Sequence, residues 1–224
     1  MKNLGSRLEK AYEAIDRLGG IGTFADIGSD HAYLSCEVLL RGNAKLAIAS
    51  DVNPGPLGRG KDYAAKTGVS PEFILSDGFD AFDGRKIDCA AICGMGGELT
   101  AGIIKRSSAA KKCFLVLQPM SAQEFLRGYL WDNGFEIIGE DFAVEHGKPY
   151  VIITAKYSGV NTPYVYPDLF LGKVRPANAE FASYALKVLS RAEKSLLGSA
   201  DRFLTGELIC ECQRQITNLS PTKD

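Results

Sequence analysis

Within its 224 residues the chain has no stretch approaching the ~18 consecutive apolar residues of a membrane span, which excludes an integral membrane helix. Its opening segment, MKNLGSRLEKAYEAIDRL, is charged throughout and lacks the apolar core of a secretory signal, so a cytoplasmic location is expected. Histidine is scarce, with two copies, and none of the six cysteines belongs to a Cys-x-x-Cys pair, so no metal site is expected. Cys36, Cys89, Cys93, Cys113, Cys210 and Cys212 are scattered mostly among apolar neighbours; Cys89, Cys93 and Cys113 read as small buried hydrophobes with reduced thiols. Neither sign of charge is in excess, since 26 Lys and Arg face 27 Asp and Glu for a formal net charge of -1. No global field draws the chain to nucleic acid, and any such contact must come from a local patch. Internal repeats and low-complexity segments are absent as well.

What is present is the composition of a folded protein, 46% hydrophobic and 24% charged, with length for one α/β core and something smaller. Leu8, Ala11, Tyr12, Ile15 and Leu18 recur at helical spacing until Gly19-Gly20 ends the run. Apolar strands at 23–27, 46–51, 73–75, 87–93 and 113–117 are then interleaved with helices at 33–40, 57–66, 99–105 and 122–132. Strands joined through helices pair in parallel, because a right-handed crossover returns the chain to the same edge. The last two strands, 135–144 and 150–156, flank His146-Gly147-Lys148-Pro149 and must be antiparallel. A mostly parallel sheet closed by an antiparallel terminal hairpin is the α/β, Rossmann-like arrangement of class I methyltransferases, whereas dinucleotide dehydrogenases keep every strand parallel. A linker without periodicity, YSGVNTPYVYP at 157–167, separates a sheet domain at 1–157 from a wholly helical segment at 168–224. There Phe181, Tyr184, Ala185, Val188, Leu189, Ala192 and Leu196 form one apolar stripe, and Phe203, Leu204, Leu208, Ile216 and Leu219 form another, divided around Gly198-Ser199. These stripes predict a C-terminal helical hairpin, too small for a core of its own, that must lie against the sheet domain or another chain.

The stretch from Phe24 to Leu34 carries the most chemistry. An apolar strand runs into a turn at Gly28 and then a helix, which places backbone N–H groups at the C-terminal edge of the sheet, where this fold binds nucleotides. Asp30 stands where G-x-G-x-x-G would have its second glycine. A pyrophosphate would meet an anion there, so NAD is a poor fit, whereas the sulfonium and ammonium of S-adenosylmethionine are tolerated or attracted. The alternative is that Asp30 and His31 only cap the next helix. Asp51 ends the second strand roughly 20 residues beyond the turn, where an acidic side chain accepts ribose hydroxyls; otherwise it caps the helix after Asn53. Asp77-Gly78 faces the cofactor's adenine or the reacting centre, or is an ordinary Ser-Asp-Gly turn. In Cys93-Gly94-Met95-Gly96-Gly97, three glycines in four positions let a flat base slide against the backbone, unless the run is simply a tight strand-to-helix turn. Gln118-Pro119-Met120 ends the fifth strand on the same edge, with an amide that could reach the acceptor.

Together, Ser6-Arg7-Leu8, D-I-G-S-D-H-A-Y-L at 26–34, Asp51 with Gly55-Pro56, Asp77-Gly78, C-G-M-G-G at 93–97 and Leu117-Gln118-Pro119 resemble the bacterial tRNA (adenine-N1)-methyltransferases of the TrmK family, across most of the sheet domain. The helical hairpin is similar to that family's C-terminal coiled-coil domain. The resemblance implies transfer of a methyl group from S-adenosylmethionine to N1 of adenine 22 in the D-arm region of tRNA. It places Asp26, Gly28, Ser29, Asp30, His31, Asp51, Val52, Asn53, Asp77, Gly78 and Gly94 at the cofactor. Arg7, Met95, Gly96, Gly97, Gln118 and Pro119 would border the acceptor base, and Asp77 would be the catalytic carboxylate. Met120 departs from the pattern, since the family often has asparagine after Leu-Gln-Pro.

Neutral adenine already presents a lone pair at N1, so alignment is the main catalytic task, and a carboxylate near the ring would favour the cationic product. To reach a pocket the base must leave its pairing or stacking. Two groups of cations are candidates for the tRNA phosphates: Lys105, Arg106, Lys111 and Lys112 on the sheet domain, and Lys173, Arg175, Lys187, Arg191 and Lys194 on the helical arm. Each group is also what a solvated surface looks like. Two other readings keep the fold. One is methylation of a small metabolite, with the hairpin as lid or dimer contact; the other is a non-catalytic tRNA-binding module, against which the full set of Asp26, Gly28, Asp51 and Asp77 argues. Monomer and homodimer are both compatible with the sequence.

Overall fold

A seven-stranded sheet organises the computed structural model, which describes residues 4–82, 84–196 and 202–219. The first half runs α1 (Ser6–Leu18), β1 (Ile21–Ile27), α2 (Tyr33–Leu40), β2 (Ala44–Asp51), α3 (Pro54–Thr67) and β3 (Glu72–Leu75). It continues with β4 (Cys89–Gly96), α4 (Gly97–Arg106), β5 (Phe114–Ser121), α5 (Gln123–Asp132), β6 (Phe135–Glu145) and β7 (Lys148–Tyr157). Three helices follow: α6 (Tyr166–Leu171), α7 (Ala179–Leu196) and α8 (Arg202–Leu219). The strand order is β3-β2-β1-β4-β5-β7-β6, with the first five parallel and β7 antiparallel to both of its neighbours. His146 and Gly147, at φ of 50° and 70°, make a two-residue turn between β6 and β7 whose positive dihedrals match the twist of the strands.

Alternation along the strands distributes side chains to two faces. Ala25, Ile27, Leu115, Leu117, Val151 and Ile153 point to the face covered by α4 and α5, while Phe24, Val116 and Ile152 meet Ala11, Tyr12 and Ile15 of α1 and Leu34 and Val38 of α2. The first core cluster continues without a break into Phe181, Tyr184, Ala185, Val188 and Ala192 of α7 and Leu208 and Cys212 of α8. The helical hairpin therefore lies against the sheet through α7, which packs on β6 and β7. The division expected around Gly198-Ser199 lies outside the described residues. No described helix is long and apolar enough to cross a membrane.

The segment at 157–167, read as a linker, has no helix or strand over 158–165 and runs into a helix at its end. Pro167 occupies the first turn of α6, where its missing N–H has no partner to lose, and the Asp168 carboxylate accepts the N–H of Val165 at 3.1 Å. α3 likewise begins at Pro54, three residues before the first apolar position of its stripe.

One charged pair fixes these helices on the sheet. Arg127 of α5 and Glu140 of β6 are both fully buried and meet at 2.7 Å. The guanidinium also donates to the carbonyls of Leu169 and Phe170 in α6, at 2.9 and 3.0 Å, and to the Tyr184 hydroxyl of α7. Glu140 accepts the N–H of Lys173 at 3.1 Å. Burial alone would lower the Arg127 pKa, but the Glu140 charge and Tyr184 carry it above its ordinary value, so the guanidinium stays charged. Glu140→Ala leaves that charge buried and unpaired and is expected to destabilise the protein by about 3–5 kcal/mol, whereas the hydrocarbon pair Arg127→Met with Glu140→Leu recovers most of the loss. Urea unfolding of the three proteins measures both effects.

Candidate active site

The sheet reverses its winding between β1 and β4, and in open α/β sheets ligands bind outside the strand C-termini at such a point. A cavity of about 600 Å³ lies there. It is lined by Asp26, Gly28, Ser29, Asp30 and His31 after β1, by Asp51, Val52 and Asn53 after β2, and by Cys93, Gly94 and Met95 at the end of β4. Leu4, Gly5, Arg7 and Leu8 of the α1 region, Tyr33 and Leu34 of α2, and Glu145 and His146 of the β6–β7 turn complete the wall.

The turn after β1 is shaped for something other than phosphate. Both the Gly28 and Ser29 N–H groups donate to the Ser50 carbonyl, at 2.8 and 2.9 Å, so neither is available to an anion. A Cβ on Gly28 would sit 2.0 Å from Met95 Cε, which makes glycine the residue that lets β4 close on this turn. The Ser29 hydroxyl is buried without a hydrogen-bond partner among the described residues, a polar group that a ligand in the cavity can satisfy. Asp30 and Ala32 both adopt positive φ, and α2 starts with Ala32 at its cap position and no side-chain cap, so Asp30 and His31 do not cap that helix. Asp30 is instead largely exposed and paired with Arg59 at 2.9 Å.

Two carboxylates define the polar wall. Asp26 is 4% exposed and accepts the Ser35 hydroxyl at 2.9 Å; burial, against the help of that bond and with a smaller push from Asp51, raises its pKa from 3.8 to about 6. Asp51 accepts the N–H of Asn53 at 2.9 Å while lining the cavity, so it does part of the capping duty and faces the ligand space as well. Arg7 is the only Arg or Lys among the described lining residues. Its Nη1 donates to Gln118 Oε1 at 2.5 Å, and its Nε stands 3.6 Å from Glu145. Cys93 is no nucleophile: burial first, then Asp26, push its thiol up to about 12. Among the described residues no group of three His, Cys, Asp or Glu is placed to hold a metal.

Several expected site residues stand elsewhere. Gln118 is fully buried, and its amide is committed to Arg7, to the Gly94 N–H at 3.1 Å and to the Pro119 carbonyl at 3.2 Å, so it braces the site from behind and does not line the cavity. Gly97 serves the strand-to-helix turn, since a Cβ there would lie 2.1 Å from the Ala122 carbonyl oxygen. Gly96 caps α4, and neither it nor Gly97 or Pro119 lines the cavity. Asp77 and Gly78 also fall outside it: Gly78 packs against Ile103, and the exposed Asp77 carboxylate pairs with Arg106 at 2.8 Å. Glu145 and His146 were not foreseen as wall residues, although the signal was present, because a β7 antiparallel to β5 must begin where β5 ends.

A doubly wound sheet with an antiparallel terminal hairpin, and a nucleoside-sized cavity walled by carboxylates with no phosphate-binding loop, define a class I methyltransferase using S-adenosylmethionine. Residues 4–153 match the methyltransferase domain family model. The chain is 32% identical over 165 residues to the tRNA (adenine(22)-N(1))-methyltransferase of Bacillus subtilis (strain 168), covering 72% of this chain and 68% of that protein. Its structure is similar to Streptococcus pneumoniae Sp1610 in complex with S-adenosyl-L-methionine, with a TM-score of 0.81 and 27% identity over 96% of this chain and 100% of that one. The B. subtilis M1A22 tRNA methyltransferase TrmK gives a TM-score of 0.74 and 27% identity over 97% of this chain and 97% of that one. The chain belongs to the TrmK family of methyltransferases.

The raised Asp26 pKa has a stability consequence. Folding takes up a proton between pH 3.8 and about 6, so the stability due to this group is full at the acid end and lost as pH rises through about 6, by up to about 3 kcal/mol. Asp26→Asn is expected to unfold later than the parent at about pH 8 and to lose that advantage near pH 4; thermal unfolding of ligand-free protein across this range checks it.

Proposed function

We propose that the protein methylates N1 of an adenine in tRNA with S-adenosylmethionine as donor, and that the target is adenine 22, as in the named B. subtilis relative. The observation that carries this reading is the cavity at the β1/β4 switch, with Asp26 and Asp51 in its wall and the Gly28 and Ser29 N–H groups already bonded to Ser50. When bound, the donor supplies an electrophilic methyl group on a sulfonium. Asp51 would accept the ribose hydroxyls, Asp26 and the Ser29 hydroxyl would hold the amino-acid end beside Gly28, and Arg7, braced by Gln118 and Glu145, would oppose its carboxylate. Gly94 and Met95 at the β4 tip would border the methyl group and the incoming ring. Since N1 of adenine already carries a lone pair, the side chains need only hold nucleophile and donor in line with water kept out. Val52, Asn53 and His31 complete the cofactor wall, and the helices over 168–224 serve as an RNA-binding arm on a catalytic domain over 1–157. The same reading puts the protein in the cytoplasm.

Asp77 is better placed for the adenine side of the cofactor than for the catalytic role expected from the sequence. It follows Ser76, whose N–H bonds the Asp51 carbonyl at 3.0 Å, and its exposed pair with Arg106 is weak enough to yield to a ligand. Asp77→Asn is accordingly expected to raise the cofactor Kd several-fold and leave kcat nearly unchanged; a large loss of kcat with normal cofactor binding would restore the catalytic assignment. The reaction itself is tested by incubating unmodified tRNA, and separately a metabolite extract, with enzyme and labelled donor, then mapping the label by mass spectrometry. Label on N1 of adenine 22 is the expected outcome, and label only in the metabolite arm would defeat the reading.

A further inference from the structure

The cations that sequence offered for RNA are sorted by their surroundings. Lys111 and Lys112 lie just before β5, at the strand edge opposite the cavity, with Lys111 Nζ 4.8 Å from the ring centroid of Tyr157 at the end of β7. Arg106 is paired with Asp77. On the helical side, Arg175 is clasped by Asp168 at 2.6 Å and by Glu211, while Lys173 donates to the Pro163 carbonyl and lies 5.5 Å over Trp131. Of these five, Lys111 and Lys112 face away from the strand tips, Arg175 and Lys173 hold the fold together, and Arg106 is matched by a carboxylate of its own.

Lys187 and Arg191 of α7 are placed differently. Lys187 Nζ donates to the Pro149 carbonyl at 3.2 Å and lies 5.9 Å from the ring centroid of Tyr150. Arg7, a wall residue of the cavity, approaches that same ring at 5.9 Å, so one tyrosine separates Lys187 from the site. Arg191, one helical turn further on, is 60% exposed and reaches Glu124 at the start of α5 at 3.8 Å. Lys148 is exposed and follows directly on His146 and Gly147, the turn whose His146 lines the cavity. Burial first, and then the charges of Arg191 and Lys148, hold the Lys187 ammonium below its ordinary pKa, which records three like charges sharing one corner. The acidic groups facing them are Glu124, against Arg191, and Glu145, which is engaged by Arg7.

We propose that Lys148, Lys187 and Arg191 form a phosphodiester-binding cluster on the rim of the cofactor cavity, seating the backbone of the RNA strand whose base enters that site. The assignment rests on the tRNA reading above. Three cations that repel one another gain most from an anion of high charge density, and an exposed ion pair as long as that of Arg191 with Glu124 is readily exchanged for a phosphate. Lys148 was not among the cations singled out in the sequence, because only the short β6–β7 turn brings it beside α7.

The test uses the full chain and unmodified tRNA, with affinity followed by fluorescence anisotropy over roughly 50 to 200 mM salt. The variant combining Lys148→Gln, Lys187→Gln and Arg191→Gln is expected to lose about tenfold or more in affinity, with the slope of log K against log salt shallower by about two to three. Arg191→Gln and Lys148→Gln alone change exposed side chains and should each flatten the slope by about one, which guards against misfolding of the triple variant. Glu124→Gln should tighten binding, while Lys111→Gln with Lys112→Gln should change nothing. Unaltered slopes in both single variants, or an equal loss in the Lys111 and Lys112 variant, would overturn the cluster while the methyltransferase reading stands. A parent protein with no tRNA affinity would overturn both.

Discussion

The pair of Arg127 with Glu140 is the contact on which the relation between sheet and helices depends. It is wholly removed from water, and its guanidinium is shared among α5, β6, α6 and α7. Hydrocarbon side chains of the same volume would hold these elements as tightly, but without direction. The ion pair specifies which carbonyls of α6 face α5 and where Tyr184 of α7 must lie. Through that constraint α7 is set on β7 so that Lys187 meets Tyr150, and a packing decision deep in the core determines the charge at the rim.

The cofactor edge is built by subtraction. In phosphate-binding relatives of this fold the turn after β1 offers free N–H groups to an anion. Here those groups are closed by the Ser50 carbonyl, and the polar wall is supplied by Asp26, Asp51 and the Ser29 hydroxyl. A wall of carboxylates around one guanidinium suits a ligand that is itself cationic with a zwitterionic tail. The raised Asp26 pKa is the penalty of keeping such a carboxylate dry before the ligand arrives.

Most of the fold could be read from periodicity, because each parallel strand is an apolar run and each crossover helix carries a stripe. The places of Asp26, Gly28, Asp51 and Gly94 in the cavity wall could be read too, since each stands at or just after a strand end. What escaped depends on partners remote in sequence. Gln118 looked like a donor at a strand tip, but Arg7, 111 residues away, claims its oxygen. Asp77 looked catalytic, and its exposed carboxylate stands outside the cavity in a pair with Arg106 at the end of α4. Arg175 looked like a surface cation and is a half-buried brace between Asp168 and Glu211. The linker was legible over 158–165, but its last proline, Pro167, stands in the first turn of a helix, where proline starts one.

The two-residue turn between β6 and β7 carries His146 in its bend and sets Glu145 directly opposite Lys148. Surface turns usually accept insertions and deletions freely. This one has less latitude: its two residues fix Glu145 against Lys148, and a change of length that slipped this pairing by one residue would send the following side chains to the opposite face, displacing wall and rim together. Among homologous chains, its length should therefore vary far less than that of other exposed bends.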